Sequence, residues 1–308
     1  MDTLHRFYRY TQFSFFWYDA SVPPIPFAPR SRPIAHETDL QHIVDSRMSA
    51  FKLNPNTNSH LMALNSPNRT MVCTYQLYVL QRHLFIDLPE GRTLIDTGAP
   101  WSASVTGRMT WQNENHGVNK GGYMGFTFDK LSAEIGVQVD ALIGMDLLAR
   151  TTLFFDVANR QLTAGDDIPE GYTAAPYSLV PTSDIPMLEV TLNGRKAVVL
   201  WDTGAQYGYY ADDHFSEGLK QLTGFKDFSP MFGALDISRS YHIPFTFQGL
   251  GLVEHCGPTP THTCGGLSPV PMRTFLSLLN IDAIIGPSWM QRVKIWLNPI
   301  EHTIALSA

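Results

Sequence analysis

The sequence predicts an all-β protein built as two pseudo-symmetric, barrel-like lobes with a central cleft. Three observations carry this expectation. Charged residues make up only 16% of the 308, while 44% are hydrophobic. That balance favours a large core over charge-laced helical surfaces, since an average soluble domain is roughly 25% charged. Turn formers are frequent, with 23 Gly and 21 Pro, as expected of many short strands. Most tellingly, one pattern of elements occurs twice.

The first half of the repeat begins with alternating residues from Leu84 to Leu88, followed by Glu90-Gly91. Its counterpart runs from Leu188 to Leu192 and into Asn193-Gly194, a strong hairpin signal. Each hairpin leads into an apolar strand and then a tetrapeptide: Asp96-Thr97-Gly98-Ala99 after Thr93-Leu94-Ile95, and Asp202-Thr203-Gly204-Ala205 after Val199-Leu200-Trp201. Further on, Asp140-Ala141-Leu142-Ile143-Gly144 matches Asp282-Ala283-Ile284-Ile285-Gly286. This second match continues without a gap: Arg150 meets Arg292, Asp156 meets Asn298, and Leu162 meets Ile304. Both stretches end as short strands, at Leu153-Phe154-Phe155 and Lys294-Ile295-Trp296. Asp and Gly favour turns on their own account, so a single Asp-Thr-Gly means little. At average residue usage a given tripeptide arises by accident in ~5% of chains this long and twice in well under 1%.

Composition excludes several classes of function. The 22 basic and 28 acidic residues give a net charge of −6 with no basic block, so a nucleic-acid partner is not expected. No run of about 18 apolar residues exists, and no membrane association is expected. Three cysteines do not make a disulfide framework. Cys256 and Cys264, with His255 and His262 beside them, offer either a small closed loop or a zinc site. The spacing fits no common structural zinc pattern, and neither a metal nor a cofactor is expected. The aromatic N-terminus lacks the unbroken apolar stretch of a secretory leader, and the Asn68-Arg69-Thr70 sequon is read as accidental. The expectation is a cytoplasmic protein.

Paired Asp residues suggest a chemistry. Two carboxyl groups sharing one proton hydrolyse an amide without metal or covalent intermediate: the ionised one takes a proton from water, and the protonated one polarises the scissile carbonyl. Like charges about 3 Å apart do not both ionise, so one pKa rises. A Thr hydroxyl after each Asp can tie the two loops together, and Gly lets backbone pass close to the carboxylates.

The doubled DTGA and apolar-apolar-Gly motifs resemble the aspartic peptidases of the pepsin and retropepsin type over residues 71–165 and 178–306. The resemblance implies the bilobal acid-protease fold and a polypeptide substrate. It also implies Asp96 and Asp202 as catalytic dyad, Thr97 and Thr203 as interlocking threonines, Gly98 and Gly204 as dyad support, and Gly144 and Gly286 behind the dyad loops. Ala99 and Ala205 follow the retropepsin pattern, where pepsin-like enzymes usually carry Ser. Retropepsins are homodimers of one lobe, whereas this chain holds both half-sites, so the expected active species is a monomer. A catalytically inactive peptidase fold used for peptide binding or scaffolding is the alternative.

The expected organisation is an N-terminal extension over 1–70, a first lobe over 71–170 and a second over 171–308. In the extension, the segment 22–35 reads as a Pro-rich linker and residues 37–49 as a short helix capped by Asp39. The aromatic block from Phe7 to Tyr18 completes a sheet, lies in the cleft or meets an outside partner. Candidate flap tips are Gly121-Gly122-Tyr123-Met124-Gly125 and Phe228-Ser229-Pro230-Met231-Phe232-Gly233, each with an ordinary surface turn as the alternative. Residues 266–280 should contain a helix. Trp101, Tyr207, Tyr209 and Tyr210 either line the cleft or belong to the core.

Overall fold

The computed structural model describes residues 71–165, 171–262 and 265–308. The expected linker, helix and aromatic block of the N-terminal extension lie outside these residues, as does Cys264. Period-two alternation builds most of the chain, because successive side chains in a strand point to opposite faces. It is clearest in Gly233–Phe247, where buried and exposed positions alternate along most of a 15-residue strand.

The first repeat opens with the meander β1 (Cys73–Leu80), β2 (His83–Leu88) and β3 (Gly91–Ile95), then β4 (Ala103–Ser104). A hairpin follows, β5 (Arg108–Trp111) and β6 (Glu114–Gly117), then β7 (Asn119–Lys120) and a second small hairpin, β8 (Gly122–Tyr123) and β9 (Phe126–Thr127). Helix α1 (Phe128–Ile135) is capped by the Thr127 side chain at its start and by left-handed Gly136 at its end. Strand β10 (Ala141–Ile143), helix α2 (Met145–Leu148) and the hairpin β11 (Leu153–Asp156) and β12 (Gln161–Ala164) complete this half.

The second half carries β13 (Ala174–Pro176), β14 (Ser178–Leu179), β15 (Pro186–Leu192), β16 (Arg195–Trp201) and β17 (Gly208–Tyr210). Next come three long strands, β18 (Leu222–Ser229), β19 (Gly233–Phe247) and β20 (Leu250–Pro258). Helix α3 (Met272–Leu278), β21 (Ala283–Ile285), β22 (Lys294–Asn298) and β23 (Thr303–Ser307) end the chain. The helix expected within 266–280 is thus shorter than that window. Pro269 and Pro271 hold its front extended, since the residue before a proline avoids the helical region.

These strands form an 11-stranded sheet, β13-β23-β22-β11-β12-β1-β2-β3-β10-β4-β7, and an 8-stranded sheet, β14-β15-β16-β21-β17-β20-β19-β18. The repeat seen in the sequence is reproduced in their register. In one half β10 lies parallel to β3 and antiparallel to β4. In the other, β21 lies parallel to β16 and antiparallel to β17. The two halves meet where β11 pairs antiparallel with β22, with Leu153 opposite Leu297, Phe154 opposite Trp296 and Phe155 opposite Ile295. Aligned by the repeat, Phe154 is the counterpart of Trp296, and Leu153 and Phe155 are the counterparts of Ile295 and Leu297. The pairing is therefore its own image under exchange of the halves: a local two-fold axis runs through the Phe154–Trp296 pair. Their rings stack at 4.0 Å between centroids, and Tyr172 adds a further ring at 4.3 Å from Trp296.

Most of the core is one apolar cluster drawn from both halves, including Trp111, Trp201, Phe155, Ile295 and Trp289. A second cluster lies under the first lobe around Phe85, Leu94, Tyr123, Phe128 and Leu142, and Phe228 of β18 packs against it from the other lobe.

The axis pair is testable. Trp296→Ala removes a buried stack at the junction of the halves and should cost about 3–5 kcal/mol, the usual range for a large aromatic core truncation. Urea unfolding measures it, and a loss below about 1 kcal/mol would show that this stack does not hold the halves together.

Candidate active site

Strands β3 and β16 each run parallel beside a partner from later in the chain, β10 and β21, and each ends at an Asp. The backbone N–H of Asp96 donates to the Ile143 carbonyl at 3.0 Å, and that of Asp202 to the Ile285 carbonyl at 2.9 Å. Both Asp-Thr-Gly-Ala segments thus leave the sheets at equivalent points and turn toward each other.

The two loops are locked by their threonines, both with no exposed surface. Thr97 Oγ1 donates to the Trp201 carbonyl at 2.8 Å and accepts from the Thr203 N–H at 3.0 Å. Thr203 Oγ1 donates to the Ile95 carbonyl at 2.8 Å and accepts from the Thr97 N–H at 3.0 Å. Four hydrogen bonds, two from each side, join the loops in a dry environment.

This lock sets the carboxylates face to face. Gly98 N–H donates to Asp96 Oδ1, and Gly204 N–H to Asp202 Oδ1, both at 2.9 Å. A Cβ placed on Gly98 would lie 2.3–2.5 Å from the Asp202 carboxylate, and one on Gly204 2.4–2.6 Å from that of Asp96. Each glycine therefore passes against the opposite aspartate at a distance no side chain permits. Gly144 and Gly286 sit directly beneath the loops: a Cβ on either would approach the carbonyls of Ala99 and Ala205, respectively, to within 2.7–2.8 Å. Of the residues expected from the sequence, Asp96, Asp202, Thr97, Thr203, Gly98 and Gly204 are all brought together here.

The carboxylates hydrogen-bond each other, and both are pushed above the ordinary carboxylate range. For Asp96 burial is the main cause, followed by the charge of Asp202 and the shared proton. Asp202 is raised by burial, while the bond from Asp96 and the N–H groups of Gly204, Ala205 and Gly98 favour its anion. Burial and mutual charge thus disfavour ionising both carboxyls together.

Behind the loops the halves differ. In the first, Ser102 Oγ donates to Asp146 at 2.6 Å and accepts from the Gly144 N–H at 2.9 Å. In the second, the equivalents of Ser102 and Asp146 are Gly208 and Ser288. Ser288 Oγ donates to Glu254 of β20 at 2.6 Å. Burial raises Glu254 to about 7. The same serine–carboxylate contact is rebuilt from other elements, and Gly208 makes the room: a Cβ there would lie 3.0 Å from Glu254 Cγ.

The two candidate flap segments meet. Met124 and Gly125 take positive φ (48° and 78°) in the turn between β8 and β9, and Phe126 just beyond packs edge-on against Phe228 at 5.1 Å. Tyr123 of this hairpin is 4% exposed; burial, then the charges of Asp96 and Asp202, push its phenol well up. Trp101 lies 6.0 Å from the Tyr123 ring. Its repeat equivalent Tyr207 stacks on Phe225 at 3.8 Å and lies under the Arg82 guanidinium at 4.6 Å. Tyr210 takes the core alternative: it is 1% exposed and lies beside Tyr241 at 6.3 Å. His83 was not foreseen. Its ring is 5% exposed, lies 2.8 Å from the Gln81 carbonyl and also meets the Gly204 backbone, with burial lowering it to about 4. Cys256 is a buried free thiol, and no cluster with metal-ligand character occurs among the described residues.

No family model matches the sequence, and no curated protein matches it. Solved structures do. A solution structure of simian foamy virus (mac) protease is 17% identical over 34% of this chain and 90% of its own, with a TM-score of 0.22. EIAV protease, in complex with the inhibitor HBY-793, is 16% identical over 37% of this chain and 93% of its own, with a TM-score of 0.25. An aspartic proteinase from Irpex lacteus is 12% identical over 77% of this chain and 97% of its own, with a TM-score of 0.42. The chain is all-β, with two halves that repeat one strand register across an 11-stranded and an 8-stranded sheet.

The lock and the dyad make separate predictions about stability. Thr97→Val and Thr203→Val each strand a buried N–H and a buried carbonyl, and each should cost roughly 2–4 kcal/mol, with Ser at either position restoring most of it. Raised folded-state pKa values stabilise the fold fully below the unfolded Asp value and lose that contribution as pH rises through them. Asp202→Asn should therefore raise the melting temperature at pH 7 by a few degrees (~2–4 °C), with the gain shrinking toward pH 4. A gain independent of pH would show that the carboxylates are not strained by ionisation.

Proposed function

We propose that the protein is an aspartic endopeptidase that hydrolyses peptide bonds through a water activated by Asp96 and Asp202. The observation that carries this reading is the reciprocal threonine lock, which sets each glycine against the opposite carboxylate and leaves the two carboxylates one proton to share. In this reading ionised Asp202 takes a proton from the attacking water while Asp96 donates its own to the scissile carbonyl oxygen. The tetrahedral intermediate then collapses as the leaving amine takes up a proton, and the dyad returns to one proton. The Gly and Ala N–H groups hold the carboxylates without competing for the space above them. The polypeptide lies extended in the cleft, with the β8–β9 hairpin and the tip of β18 and β19 closing over it.

Asp96→Asn and Asp202→Asn should each abolish cleavage of a peptide library, by more than about 10³-fold, while circular dichroism stays native. Substantial turnover by either single variant would sink the dyad. Both half-sites lie in one chain, so initial rate should be linear in protein concentration; second-order dependence would place the aspartates in different chains.

The pH profile follows from the sign of the shifts. A raised pKa keeps the shared proton bound to higher pH, so the active, singly protonated dyad should peak in mildly acidic solution, roughly pH 4–6. Ala99 and Ala205 give the anion no hydroxyl donor. Installing Ser at both should favour ionisation and move the profile to lower pH by a fraction of a unit or more. An unmoved profile, or a wild-type optimum below pH 3, would show that other groups govern the proton.

A further inference from the structure

The two walls of the cleft are not chemically equivalent, and the difference is localised. Leu142 of β10 pairs with Ala103 of β4; at the equivalent register Ile284 of β21 pairs with Tyr209 of β17. A small apolar residue in the first lobe is thus replaced by a phenol in the second. Tyr209 is 3% exposed, and its hydroxyl donates to Asp227 Oδ2 at 2.5 Å. Among the described residues, the other oxygen of Asp227 accepts only its neighbour's N–H, from Phe228 at 2.7 Å.

Asp227 sits where the lobes meet. The next residue, Phe228, is the one that packs on Phe126 of the β8–β9 hairpin. The partner of Asp227, Tyr209, lies opposite Ile284, and the carbonyl of the next residue, Ile285, accepts the Asp202 N–H at 2.9 Å, so the register brings this pair to the strand beside the dyad loop. Asp227 is partly open to solvent. Its neighbour Lys226 is exposed on the opposite face of β18, and among the described residues no Lys, Arg or His forms an ion pair with it. The Arg82 guanidinium is engaged by His255 Nδ1 at 3.1 Å and by the Tyr207 ring. Burial, with a contribution from Asp202, holds Asp227 up at about 6: an acid whose negative charge is poorly compensated. A carboxylate that accepts one bond on each oxygen still has lone pairs to offer.

We propose that Asp227, backed by Tyr209, forms a subsite beside the dyad that takes a lysine or arginine side chain of the bound polypeptide. The cationic group supplies the countercharge that Asp227 lacks.

This inference rests on the peptidase reading, and the test separates the two. Peptide pairs identical except for Lys or norleucine at each position around the scissile bond are assayed at about pH 6.5, where the Asp227 carboxylate is substantially formed. Binding of the same peptides to the Asp96→Asn variant is followed by fluorescence anisotropy. At one position the wild type should favour Lys by about tenfold or more in kcat/KM. Asp227→Asn, which keeps an acceptor for Tyr209 and the shape of the side chain, should bring that ratio to within about twofold; a purely structural role would lower both peptides together and leave the ratio alone. Tyr209→Phe frees one carboxylate oxygen and should keep or increase the preference. An unchanged ratio in Asp227→Asn, or no position favouring Lys, overturns the subsite while the peptidase reading stands. A Lys preference in binding without cleavage by the wild type sustains the subsite and overturns the peptidase reading.

Discussion

Everything in this molecule that bears on chemistry hangs on the mutual exchange of hydrogen bonds between Thr97 and Thr203. Each hydroxyl acts as donor to one loop and acceptor from the same loop, so neither threonine is satisfied unless both loops are in place. In a dry interior the alternative to making these bonds is stranding backbone groups, which is costly. The lock is therefore all-or-none. Its geometric product is the approach of Gly98 and Gly204 to the opposite aspartates, and the electrostatic product is two buried carboxyls whose pKa values are both raised. Stability is surrendered at the dyad and recovered in the sheets around it, where Trp201 and Phe155 of the two halves pack with ring centroids 6.0 Å apart.

Much of this was legible in the sequence because the relevant signals are local and doubled. Two identical tetrapeptides after apolar strands, and two apolar-apolar-Gly runs in the same relative order, are patterns that survive reading along one dimension. The Asn193-Gly194 turn was legible because its residues take positive φ, 46° and 79°, which few other residues accept. The side chains that shape the cleft were not legible. Asp227 is an isolated acid in a polar strand, and only the fold brings it to Tyr209. Phe126 and Phe228 lie far apart in the sequence, and neither hints at the other. The serine–carboxylate contacts hide for a different reason: the structure conserves the interaction while moving the acid from α2 in one half to β20 in the other, so no alignment of the halves reveals it.

Symmetry and its breaking divide the labour. Where the halves obey the repeat, at the loops, the parallel strand pairs and the terminal hairpins, the result is a site with two equivalent contributors. Where they depart, the departures sit around that site. Tyr209 replaces Ala103, Gly208 replaces Ser102, and the second lobe carries the longer β18–β19 excursion. On the proposed reading the occupant is a peptide, which has direction and side chains that differ, so unequal walls suit it better than symmetric ones.

The self-matching register at Phe154 and Trp296 has a consequence for assembly. A strand that pairs with its own repeat image also fits that image in another molecule, so each half carries the information needed to join a half from a second chain. With both halves on one chain, the local concentration of the correct partner is of the order of millimolar, which favours pairing within the chain over pairing with a second copy. Proximity on one chain is then enough to bias the choice between equivalent pairings, without a contact that distinguishes self from neighbour.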